Sequence, residues 1–476
     1  MSLIKKVNTF LYNMDTSNWK SVDLEYGRDF LKIQVPPDCD VLKMSYVPPV
    51  KDPEHNIEDA LSHPIGSGRI EDIITSCKKS LSQVTVAIAV SDNTRPVPYN
   101  GEKEEGILLP LLKRIQKVGI KVKNIKIIVA TGTHLSTSNE WKKETFGEYI
   151  ISRYRTIDHN CSSPDLCYIG DIEKVPVKIN RQFFEADIHI ITGLVEPHFM
   201  AGVSGGRKAI CPGLINLEAT HLFHSPEFMD NPNATNLTLE NNPCHSFALK
   251  VARKVRVDFS INVTINGEGK LTGIFTGDLE KVHLKAVKKL KEYSVISVDH
   301  EYDIVLTQGG KVAVNHYQAA KAAYGVIPII KRGGAVILVA HNSDEEPIGK
   351  NEYKRVLNVL KEKGPGKFTE FIKSDGWEFV PDQWQVQKWD QFFRKVGAFD
   401  RLIYCTTNIN PVHLKKLPSK SGYDFVEEGD VNIDKMVQNA IFYAVSQVKP
   451  ELKRNPKMVF VKEGPCAVPL IDQSSK

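Results

Sequence analysis

Residues 84–96 read Val84-Thr85-Val86-Ala87-Ile88-Ala89-Val90-Ser91-Asp92-Asn93-Thr94-Arg95-Pro96, a short apolar run followed by a polar loop. An apolar run of this length that ends in turn-forming residues is typical of a strand buried on both faces. Gly106–Val118 carries apolar residues at helical spacing, and Ile125–Ala130 is a second apolar run. Strand, helix and strand in this order predict a βαβ unit, whose two strands run parallel.

The same alternation continues along the chain in two series. The first adds a strand at Ala186–Thr192 and a hairpin, Asn262–Ile265 with Leu271–Phe275, around an Asn-Gly turn. The second comprises strands Tyr302–Thr307, Ala335–Ala340, Leu402–Cys405 and Met458–Val461, with a helix at Asn315–Tyr324. We therefore predict an α/β fold of two domains, residues 1–290 and 291–476, with mixed or parallel sheets flanked by helices. The active site is expected in the interdomain cleft.

The composition of the 476 residues limits the class of protein. Lys and Arg number 62 against 57 Asp and Glu, and this net charge of +5 is too balanced for a nucleic-acid-binding surface. No apolar stretch approaches the roughly 20 residues that span a bilayer, and the polar N-terminus lacks the apolar core of a secretory signal. The eight cysteines include no C-x-x-C pair, which argues against a disulfide framework or a zinc knuckle. We expect a cytoplasmic protein with no nucleic-acid or membrane partner.

Polar loops follow three of the predicted strands. The loops begin at Ser91, Ala130 and Gly193, and they contain Arg95, His134 and His198, respectively. Ligands of open α/β sheets bind beyond the carboxyl ends of the strands. We therefore expect these three side chains at one edge of a sheet. Taken alone, the arginine could equally be a surface ion-pair residue, and each histidine a structural one.

A glycine-rich loop that contains a lysine follows His198. Residues 202–213 read Gly-Val-Ser-Gly-Gly-Arg-Lys-Ala-Ile-Cys-Pro-Gly. Such loops let backbone N–H groups converge on an anion. A P-loop has glycine directly before its lysine, whereas Arg207 stands before Lys208, and the G-x-G-x-x-G fingerprint is also absent from this loop. The loop is therefore either a phosphate cradle of another kind or a tight packing turn.

His221 and His224 lie three residues apart, a spacing that puts both on one face of a helix. Such a pair can contribute to a metal site. Because no carboxylate motif lies nearby, the pattern is only a weak indication of a zinc hydrolase. A structural role stays open for either histidine.

Six separated motifs occur in a fixed order between about Ser91 and Trp384. They are Asp92-x-Thr94-Arg95-Pro96, Thr131-Gly132-x-His134, Glu196-x-His198 with the glycine loop to Gly213, His224-Ser225, Tyr317-Gln318-Ala319-x-Lys321 and Asp382-x-Trp384. Together they resemble the nickel-pincer lactate racemase family, whose members interconvert stereoisomers of 2-hydroxy acids. The chain is longer than a minimal member, with extra residues before Ser91 and in 345–371.

This resemblance implies a cofactor in the first domain. The family uses a nickel-pincer nucleotide, pyridinium-3-thioamide-5-thiocarboxylic acid mononucleotide, which grips nickel through one carbon and two sulfurs. Lys208 would be its covalent tether and His224 the remaining nickel ligand. The residues that would further bind the cofactor are Asp92, Thr94, Ser204, Gly205, Gly206 and Trp384. Cofactor-synthesis enzymes would be partners in maturation.

The resemblance also implies a set of catalytic residues. His134 and His198 would be the acid/base pair, and Arg95 would clamp the substrate carboxylate. Tyr317, Gln318 and Lys321 would make further contacts in the active site. Gln318 and Lys321 share a face of the predicted helix, and a solvated face is the alternative for this pair. Trp384 could also be a plain core residue.

The implied reaction explains why two histidines are needed. A base takes the hydroxyl proton while the C–H hydrogen leaves as hydride, and the flat 2-keto acid that results can be reduced on either face. The two enantiomers present their hydroxyls on different sides, so two imidazoles exchange the roles of acid and base near neutral pH. An arginine suits the substrate carboxylate because it binds in bidentate geometry. Lactate, a longer 2-hydroxy acid, malate and a sugar acid all fit this scheme.

Two other classes of function stay open. A zinc-dependent hydrolase would use His198, His221 and His224 as ligands. A non-catalytic nucleotide-binding or cofactor-handling protein would bind a mononucleotide without exchange at a substrate carbon. The role of His316, next to the Tyr317 motif, is also open, and this residue could tune the choice of substrate.

Overall fold

The computed structural model describes residues 16–472 except 101, 102, 104 and 453, with the side chains of 449–452 also left aside. The chain divides into two compact units. The N-terminal unit is Tyr46–Tyr293, and the C-terminal unit combines Ser294–Lys476 with the segment that ends at Ser45. The sequence-based division at residue 290 put this first segment in the other domain. The grouping differs because strands of the segment bury apolar side chains in the core of the C-terminal unit.

The strands of the described chain are β1 (Lys20–Tyr26), β2 (Asp29–Val35), β3 (Asp40–Leu42), β4 (Val86–Val90), β5 (Ile125–Val129), β6 (Arg155–Asp158), β7 (Leu166–Ile172), β8 (Val175–Asn180), β9 (Ile188–Leu194), β10 (Pro197–His198), β11 (Gly202–Val203), β12 (Phe259–Ile265), β13 (Leu271–Gly277), β14 (Val295–Val298), β15 (Tyr302–Gln308), β16 (Ile330–Val339), β17 (Leu402–Cys405), β18 (Lys420–Ser421), β19 (Met458–Val461) and β20 (Val468–Ile471).

The α-helices of the described chain are α1 (Pro53–Ser62), α2 (Ile70–Thr75), α3 (Leu108–Lys117), α4 (Asn139–Phe146), α5 (Glu148–Arg153), α6 (Arg181–Phe184), α7 (Leu217–Phe223), α8 (Pro226–Asp230), α9 (Pro243–Val255), α10 (Leu279–Ser294), α11 (His316–Gly325), α12 (Asn351–Lys363), α13 (Phe368–Ile372), α14 (Gln383–Val396), α15 (Pro411–Leu414) and α16 (Ile433–Leu452). Short 3-10 turns lie at Val122–Asn124, Gly206–Ala209, Phe399–Arg401 and Gly422–Phe425.

The N-terminal unit is built on a six-stranded sheet in the order β13-β12-β9-β4-β5-β6. Strands β12, β9, β4, β5 and β6 are parallel, and β13 pairs antiparallel with β12. All five residues of β4 are buried, as expected for a central strand covered on both faces. The predicted βαβ unit is confirmed, because α3 follows β4 and buries the four leucine and isoleucine side chains that carried the helical pattern. The predicted hairpin is confirmed as β12 and β13.

The C-terminal unit is built on a six-stranded sheet in the order β18-β17-β16-β15-β19-β3, in which every pairing is parallel. The four strands predicted in this half of the chain are all present, and the predicted helix is α11. The antiparallel hairpin β1–β2 joins this unit, since Leu24 and Ile33 lie in the same core as Val437 and Ala440 of α16. The α/β class with mixed and parallel sheets is therefore confirmed. Among the helices of the described chain, none is long and apolar enough to cross a membrane.

Candidate active site

The three polar loops singled out in the sequence leave the same edge of the N-terminal sheet. They follow β4, β5 and β9, which are parallel neighbours in the order β9-β4-β5. The backbone also joins two loops of this edge, since the N–H of Gly132 donates to the carbonyl of Gly213 at 3.0 Å. The loops carrying Arg95, His134 and His198 thus start side by side, as the strand-end argument predicts.

A buried carboxylate orients His134. Asp92 Oδ2 lies 2.5 Å from His134 Nδ1, and Asp92 Oδ1 accepts from the N–H and the hydroxyl of Thr94 at 3.1 and 2.6 Å. Burial raises the pKa of Asp92, but the contacts with His134 and Thr94 outweigh burial and hold the pKa below its ordinary value. A carboxylate can only accept, so Nδ1 of His134 carries hydrogen and the neutral ring has its lone pair on Nε2.

His198 has the opposite arrangement. Its ring is 8% exposed, and its Nδ1 accepts from the backbone N–H groups of Met200 and Ala201, both at 3.2 Å. The neutral ring therefore carries its hydrogen on Nε2, which lies 3.4 Å from Nζ of Lys208. Both histidines thus have Nδ1 engaged by the protein fold, while Nε2 is the nitrogen through which each can exchange a proton.

Arg95 has an acidic partner that the sequence analysis did not assign. Its Nε lies 2.8 Å from Glu196 Oε1, and its Nη1 donates to the carbonyl of Thr94 at 2.7 Å. The side chains of Arg95 and Glu196 are 16% and 22% exposed, so the pair is only partly accessible to solvent. The signal for Glu196 was its position two residues before His198, in the loop that follows the strand next to β4.

Ser204 fastens the glycine loop to the loop that carries Glu196 and His198. Its hydroxyl donates to the carbonyl of Leu194 at 2.7 Å, and the same oxygen accepts from the N–H of Glu196 at 3.0 Å. The N–H of Ser204 donates to the carbonyl of Glu196 at 3.0 Å. The hydroxyl of Ser204 therefore serves the fold of the loop, and its predicted contact with a cofactor stays a prediction.

Two glycines of this loop have no room for a side chain. Gly202 has φ +77°, and a Cβ there would lie 2.1 Å from the carbonyl oxygen of Thr238. Gly205 has φ +75°, and a Cβ there would lie 2.8 Å from Oδ1 of Asn262. That Oδ1 accepts from the N–H of Gly206 at 2.8 Å. The loop is thus held close against β12 before it reaches Lys208.

Lys208 has an unusual amine. Burial, followed by the positive charges of Arg95 and Arg207, lowers its pKa to about 7. Nζ lies 5.4 Å from the ring centroid of Phe223, an aromatic neighbour that pairs well with a cation but leaves the desolvation uncompensated. About half of the Lys208 amine is therefore unprotonated at neutral pH.

Arg207 is buried and stabilises the glycine-rich loop that contains Lys208. It is 1% exposed, and its Nη2 donates to the carbonyl of Ala201 at 2.8 Å while its Nη1 lies 2.9 Å from Nε2 of His283. Burial lowers the pKa of this guanidinium to about 9. Its buried charge is part of what keeps the neighbouring Lys208 amine neutral.

His224 lies directly after α7 and is 8% exposed. Its Nδ1 donates to the carbonyl of Thr220 at 3.1 Å, so the lone pair is on Nε2. Burial and then the charge of Lys208 lower the pKa of His224 to about 3, and His221 and His134 add to this effect. His224, Lys208 and His134 are therefore electrostatic neighbours, and His224 presents the neutral imidazole that a metal ligand requires.

The remaining candidates lie on α11 and α14 of the C-terminal unit. Trp384 is 3% exposed, and its Nε1 donates to the hydroxyl of Tyr317 at 2.9 Å. The carbonyl of Tyr317 also accepts from Nε2 of Gln385. Oε1 of Gln318 is buried and, among the described residues, has no hydrogen-bond partner. Trp384 is thus both a core residue and a hydrogen-bond partner of a candidate catalytic side chain, while Lys321 lies one turn further along α11.

His316 is a core residue. It is 1% exposed and stacks on Trp389 with ring centroids 4.8 Å apart. Its Nδ1 lies 2.8 Å from the hydroxyl of Tyr353, which also accepts from Nε1 of Trp389 at 2.9 Å. Burial lowers the pKa of His316 to about 3. These contacts show that His316 is part of the core packing next to Tyr317.

The described residues do not contain a metal site made of protein groups alone. No three His, Cys, Asp or Glu side chains in this part of the chain lie close enough to hold a metal ion. A structural zinc takes four protein ligands and a catalytic zinc takes three. The alternative of a zinc hydrolase with His198, His221 and His224 as ligands therefore lacks its ligand set.

Curated relatives of this chain are lactate racemases. The family profile of the lactate racemase N-terminal domain matches residues 26–236. The lactate racemase of Thermoanaerobacterium thermosaccharolyticum is 34% identical over 339 residues, which are 70% of this chain and 76% of that protein. The lactate racemase of Lactiplantibacillus plantarum is 30% identical over 363 residues, which are 75% of this chain and 81% of that protein.

Solved structures agree with these relatives. The lactate racemase apoprotein from Thermoanaerobacterium thermosaccharolyticum has a TM-score of 0.79 with this chain at 27% identity, and the match covers 94% of this chain and all 100% of that one. A Thermotoga maritima protein has a TM-score of 0.63 at 16% identity, covers 90% of this chain and shares the fold. The fold and the relatives define an isomerase of the racemase class. The chain belongs to the lactate racemase family.

Proposed function

We propose that this protein racemises 2-hydroxy acids, with lactate as the first substrate to test, by proton-coupled hydride transfer to a nickel-pincer nucleotide tethered at Lys208. The observation that carries the proposal is the position of the Lys208 amine, whose Nζ lies 3.4 Å from Nε2 of His198 and whose pKa burial lowers to about 7. The unprotonated fraction of such an amine can form a thioamide with a thiocarboxyl arm, with loss of water and retention of the sulfur, whereas an ordinary lysine with a pKa of about 10.4 is protonated at neutral pH.

The surroundings of His224 fit the same cofactor. A metal held by protein alone needs several side-chain ligands, and the described residues offer no such cluster. One neutral imidazole, with Nδ1 fixed by Thr220, suits a metal that reaches the site with other donors already attached. Imidazole and soft sulfur ligands are compatible with nickel rather than with magnesium or calcium.

Two histidines would manage the hydroxyl proton. The bound cofactor would supply the group that accepts the hydride and returns it, and the remaining work falls to side chains of the chain. His134, with its lone pair on Nε2, would take the hydroxyl proton of one enantiomer. His198 would return a proton from Nε2 on the other side as an imidazolium, which requires hydrogen on Nδ1 in place of its contacts with Met200 and Ala201, and the two roles would reverse for the opposite enantiomer.

Other side chains would bind the substrate and the cofactor. Arg95 would hold the substrate carboxylate, and Tyr317, Gln318 and Lys321 would contact the reacting groups. The buried, unpartnered Oε1 of Gln318 supports this for one of them, because such an oxygen is normally satisfied by a ligand or water. The residues that would line the cofactor are Ser204, Gly205, Gly206 and Trp384. The contacts of Asp92 and Thr94 favour support of His134 over direct binding of the cofactor.

The proposed cofactor also implies partners and a compartment. Its synthesis and loading would require dedicated enzymes, and the small-molecule substrate would be a 2-hydroxy acid. We propose a cytoplasmic location, which suits the buried thiols of Cys39 and Cys405 because thiols stay reduced there. Burial raises the pKa of the Cys39 thiol to about 12, so this group is chemically inert.

Production of the protein with and without the cofactor-synthesis enzymes tests the proposal. The loaded protein should interconvert the two enantiomers of lactate in a chiral assay, contain nickel and show an intact-mass adduct that maps to Lys208. The Lys208→Ala variant should lose both the adduct and the activity. Full activity of that variant, or of protein made without the synthesis enzymes, would refute the tethered cofactor.

A further inference from the structure

We infer that Glu196 is the positioning residue of Arg95, which it holds in the orientation that receives the substrate carboxylate. The inference rests on the proposed function and adds a residue to it. Glu196 Oε1 lies 2.8 Å from Nε of Arg95, and both side chains are mostly buried. A partly buried ion pair of this kind is screened less by water and salt than a pair on the surface.

The guanidinium of Arg95 is fixed on two sides. Nε faces Glu196, and Nη1 donates to the carbonyl of Thr94 at 2.7 Å. A guanidinium has five N–H donors in a rigid plane. The contacts with Glu196 and Thr94 use two of these five donors. The end of the guanidinium formed by Nη1 and Nη2 has the geometry that binds a carboxylate in bidentate fashion.

Glu196 itself is anchored through its backbone. Its N–H donates to the hydroxyl of Ser204, and its carbonyl accepts from the N–H of Ser204, both at 3.0 Å. Pro197 follows and starts strand β10, which continues directly to His198. The carboxylate of Glu196 is thus attached to a rigid segment, and that segment also carries one of the proposed acid/base residues.

This arrangement fixes the distance between the group that would bind the substrate carboxylate, Arg95, and the proposed acid/base residue His198. Arg95 belongs to the loop after β4, whereas His198 belongs to the loop after β9. Glu196 joins the two loops, so it sets where the substrate carboxylate is held relative to Nε2 of His198. A shift of about 1 Å in such a relation is enough to slow a reaction strongly.

The negative charge of Glu196 also favours this orientation of Arg95 electrostatically. Arg95 is one of the two cations that lower the pKa of Lys208, so positive groups are concentrated here. In the cofactor-free protein, a protonated Lys208 would repel the guanidinium of Arg95 and, without an acidic partner, drive it to other orientations. Glu196 compensates this repulsion and favours one orientation.

A double-mutant cycle tests the inference. The variants are Glu196→Ala, Glu196→Gln, Arg95→Ala and the double variant with both alanines, measured as cofactor-loaded enzyme with both enantiomers of lactate. We expect Glu196→Ala to raise KM about tenfold and to lower kcat less than KM rises, with a smaller effect for Glu196→Gln. In the Arg95→Ala background, Glu196→Ala should change KM by less than about twofold, because its target is gone.

A matched control and a second measurement separate the alternatives. Glu185 lies 2.8 Å from Arg181 in an exposed pair outside the site, so Glu185→Gln removes the same charge without touching Arg95 and should leave KM unchanged. Lactate binding to the cofactor-free protein, followed by calorimetry, should weaken by a similar factor in Glu196→Ala. A lower thermal midpoint with unchanged KM and unchanged lactate affinity would mean a purely structural role and would overturn the inference.

Two further outcomes are decisive. A lower KM in Glu196→Ala would overturn the inference, because it would mean that Glu196 competes with the substrate for Arg95. If the loaded wild-type enzyme fails to racemise lactate and other 2-hydroxy acids, the proposed function fails. The calorimetric comparison of wild type and Glu196→Ala then still decides whether Glu196 positions the carboxylate clamp.

Discussion

His134 and His198 are held through the same ring nitrogen, Nδ1, by partners of opposite kind. On His134 the partner is the carboxylate of Asp92, at 2.5 Å, and on His198 it is a pair of backbone N–H groups, at 3.2 Å. One neutral ring therefore has a lone pair on Nε2, whereas the other has hydrogen there. His134 can therefore accept a proton on Nε2 as it stands, whereas His198 would give up a proton from Nε2 only in its imidazolium form, which also carries hydrogen on Nδ1.

The Asp92→Asn variant should lower kcat at least about 100-fold, because an amide can donate to Nδ1 and then favours hydrogen on Nε2 of His134. The two enantiomers have equal free energy, so kcat/KM must fall by the same factor in both directions. Steady-state kinetics with each enantiomer measures this. Asp165→Asn, at an exposed pair with Arg181, is the matched control and should keep full activity. Wild-type kcat in Asp92→Asn would remove Asp92 from the mechanism.

Removal of either histidine should separate loading of the cofactor from catalysis. We expect His134→Ala and His198→Ala to retain the mass adduct at Lys208 and the nickel content, while racemisation falls at least about 100-fold. Intact-mass spectrometry, metal analysis and the chiral assay on the same preparations make the comparison. Substantial racemisation by either single variant would contradict a mechanism with two acid/base groups.

The sequence contained much of this site but not its internal contacts. Parallel strands and the loops after them followed from apolar runs, since buried strands must be apolar whatever the fold does elsewhere. The pairing of Arg95 with Glu196 did not follow, because it depends on which loops are neighbours in space and on two side-chain rotamers. The protonation of the two histidines was likewise set by backbone and carboxylate partners that are distant in the sequence.

The placement of the first described residues shows a further limit. The alternating pattern of β1 and β2 indicates a hairpin with one apolar face, but it does not identify the surface that the face covers. In the structure, Leu24 and Ile33 pack with α16, whose residues lie more than 400 positions later in the sequence. Single-sequence patterns carry local periodicity, whereas this partner is chosen by long-range packing.

Lys208 should react with amine reagents at a pH at which other lysines do not. Because its pKa is about 7, its acylation rate in the cofactor-free protein should reach half of its maximum near pH 7. Ordinary lysines, with pKa values of about 10.4, should still be rising steeply there. Pulse labelling between pH 6 and pH 9 with peptide mass spectrometry measures both in one sample. A Lys208 profile that parallels the surface lysines would contradict the lowered pKa.

Trp384 should matter through Tyr317. Trp384→Phe keeps most of the buried ring but removes the Nε1–H that donates to the Tyr317 hydroxyl at 2.9 Å. We expect kcat/KM to fall roughly fivefold, the effect of losing one oriented hydrogen bond. In a Tyr317→Phe background the same change should have almost no further effect. Additive losses would show that the indole acts by another route, such as direct contact with a ligand.

His316 should make the protein less stable as the pH falls below neutrality. Its pKa is about 3 in the folded chain and about 6.5 when unfolded, so between these values the unfolded state binds the extra proton. Protonation of the unfolded state favours unfolding, and the free energy of unfolding therefore falls as the pH drops from 6.5 towards 3. From pH 7 to pH 5 this single group accounts for about 2 kcal/mol.

Denaturant unfolding of wild type and His316→Phe at pH 7 and pH 5 measures this contribution. The variant is expected to be less stable at pH 7, since Tyr353 loses the acceptor at 2.8 Å, but its stability should fall by about 2 kcal/mol less between the two pH values. His55→Phe, an exposed histidine at the start of α1, provides the comparison for loss of an imidazole at the surface. An identical pH dependence in wild type and His316→Phe would mean that folding leaves the pKa of His316 at its ordinary value, which its contact with Trp389 and its burial argue against.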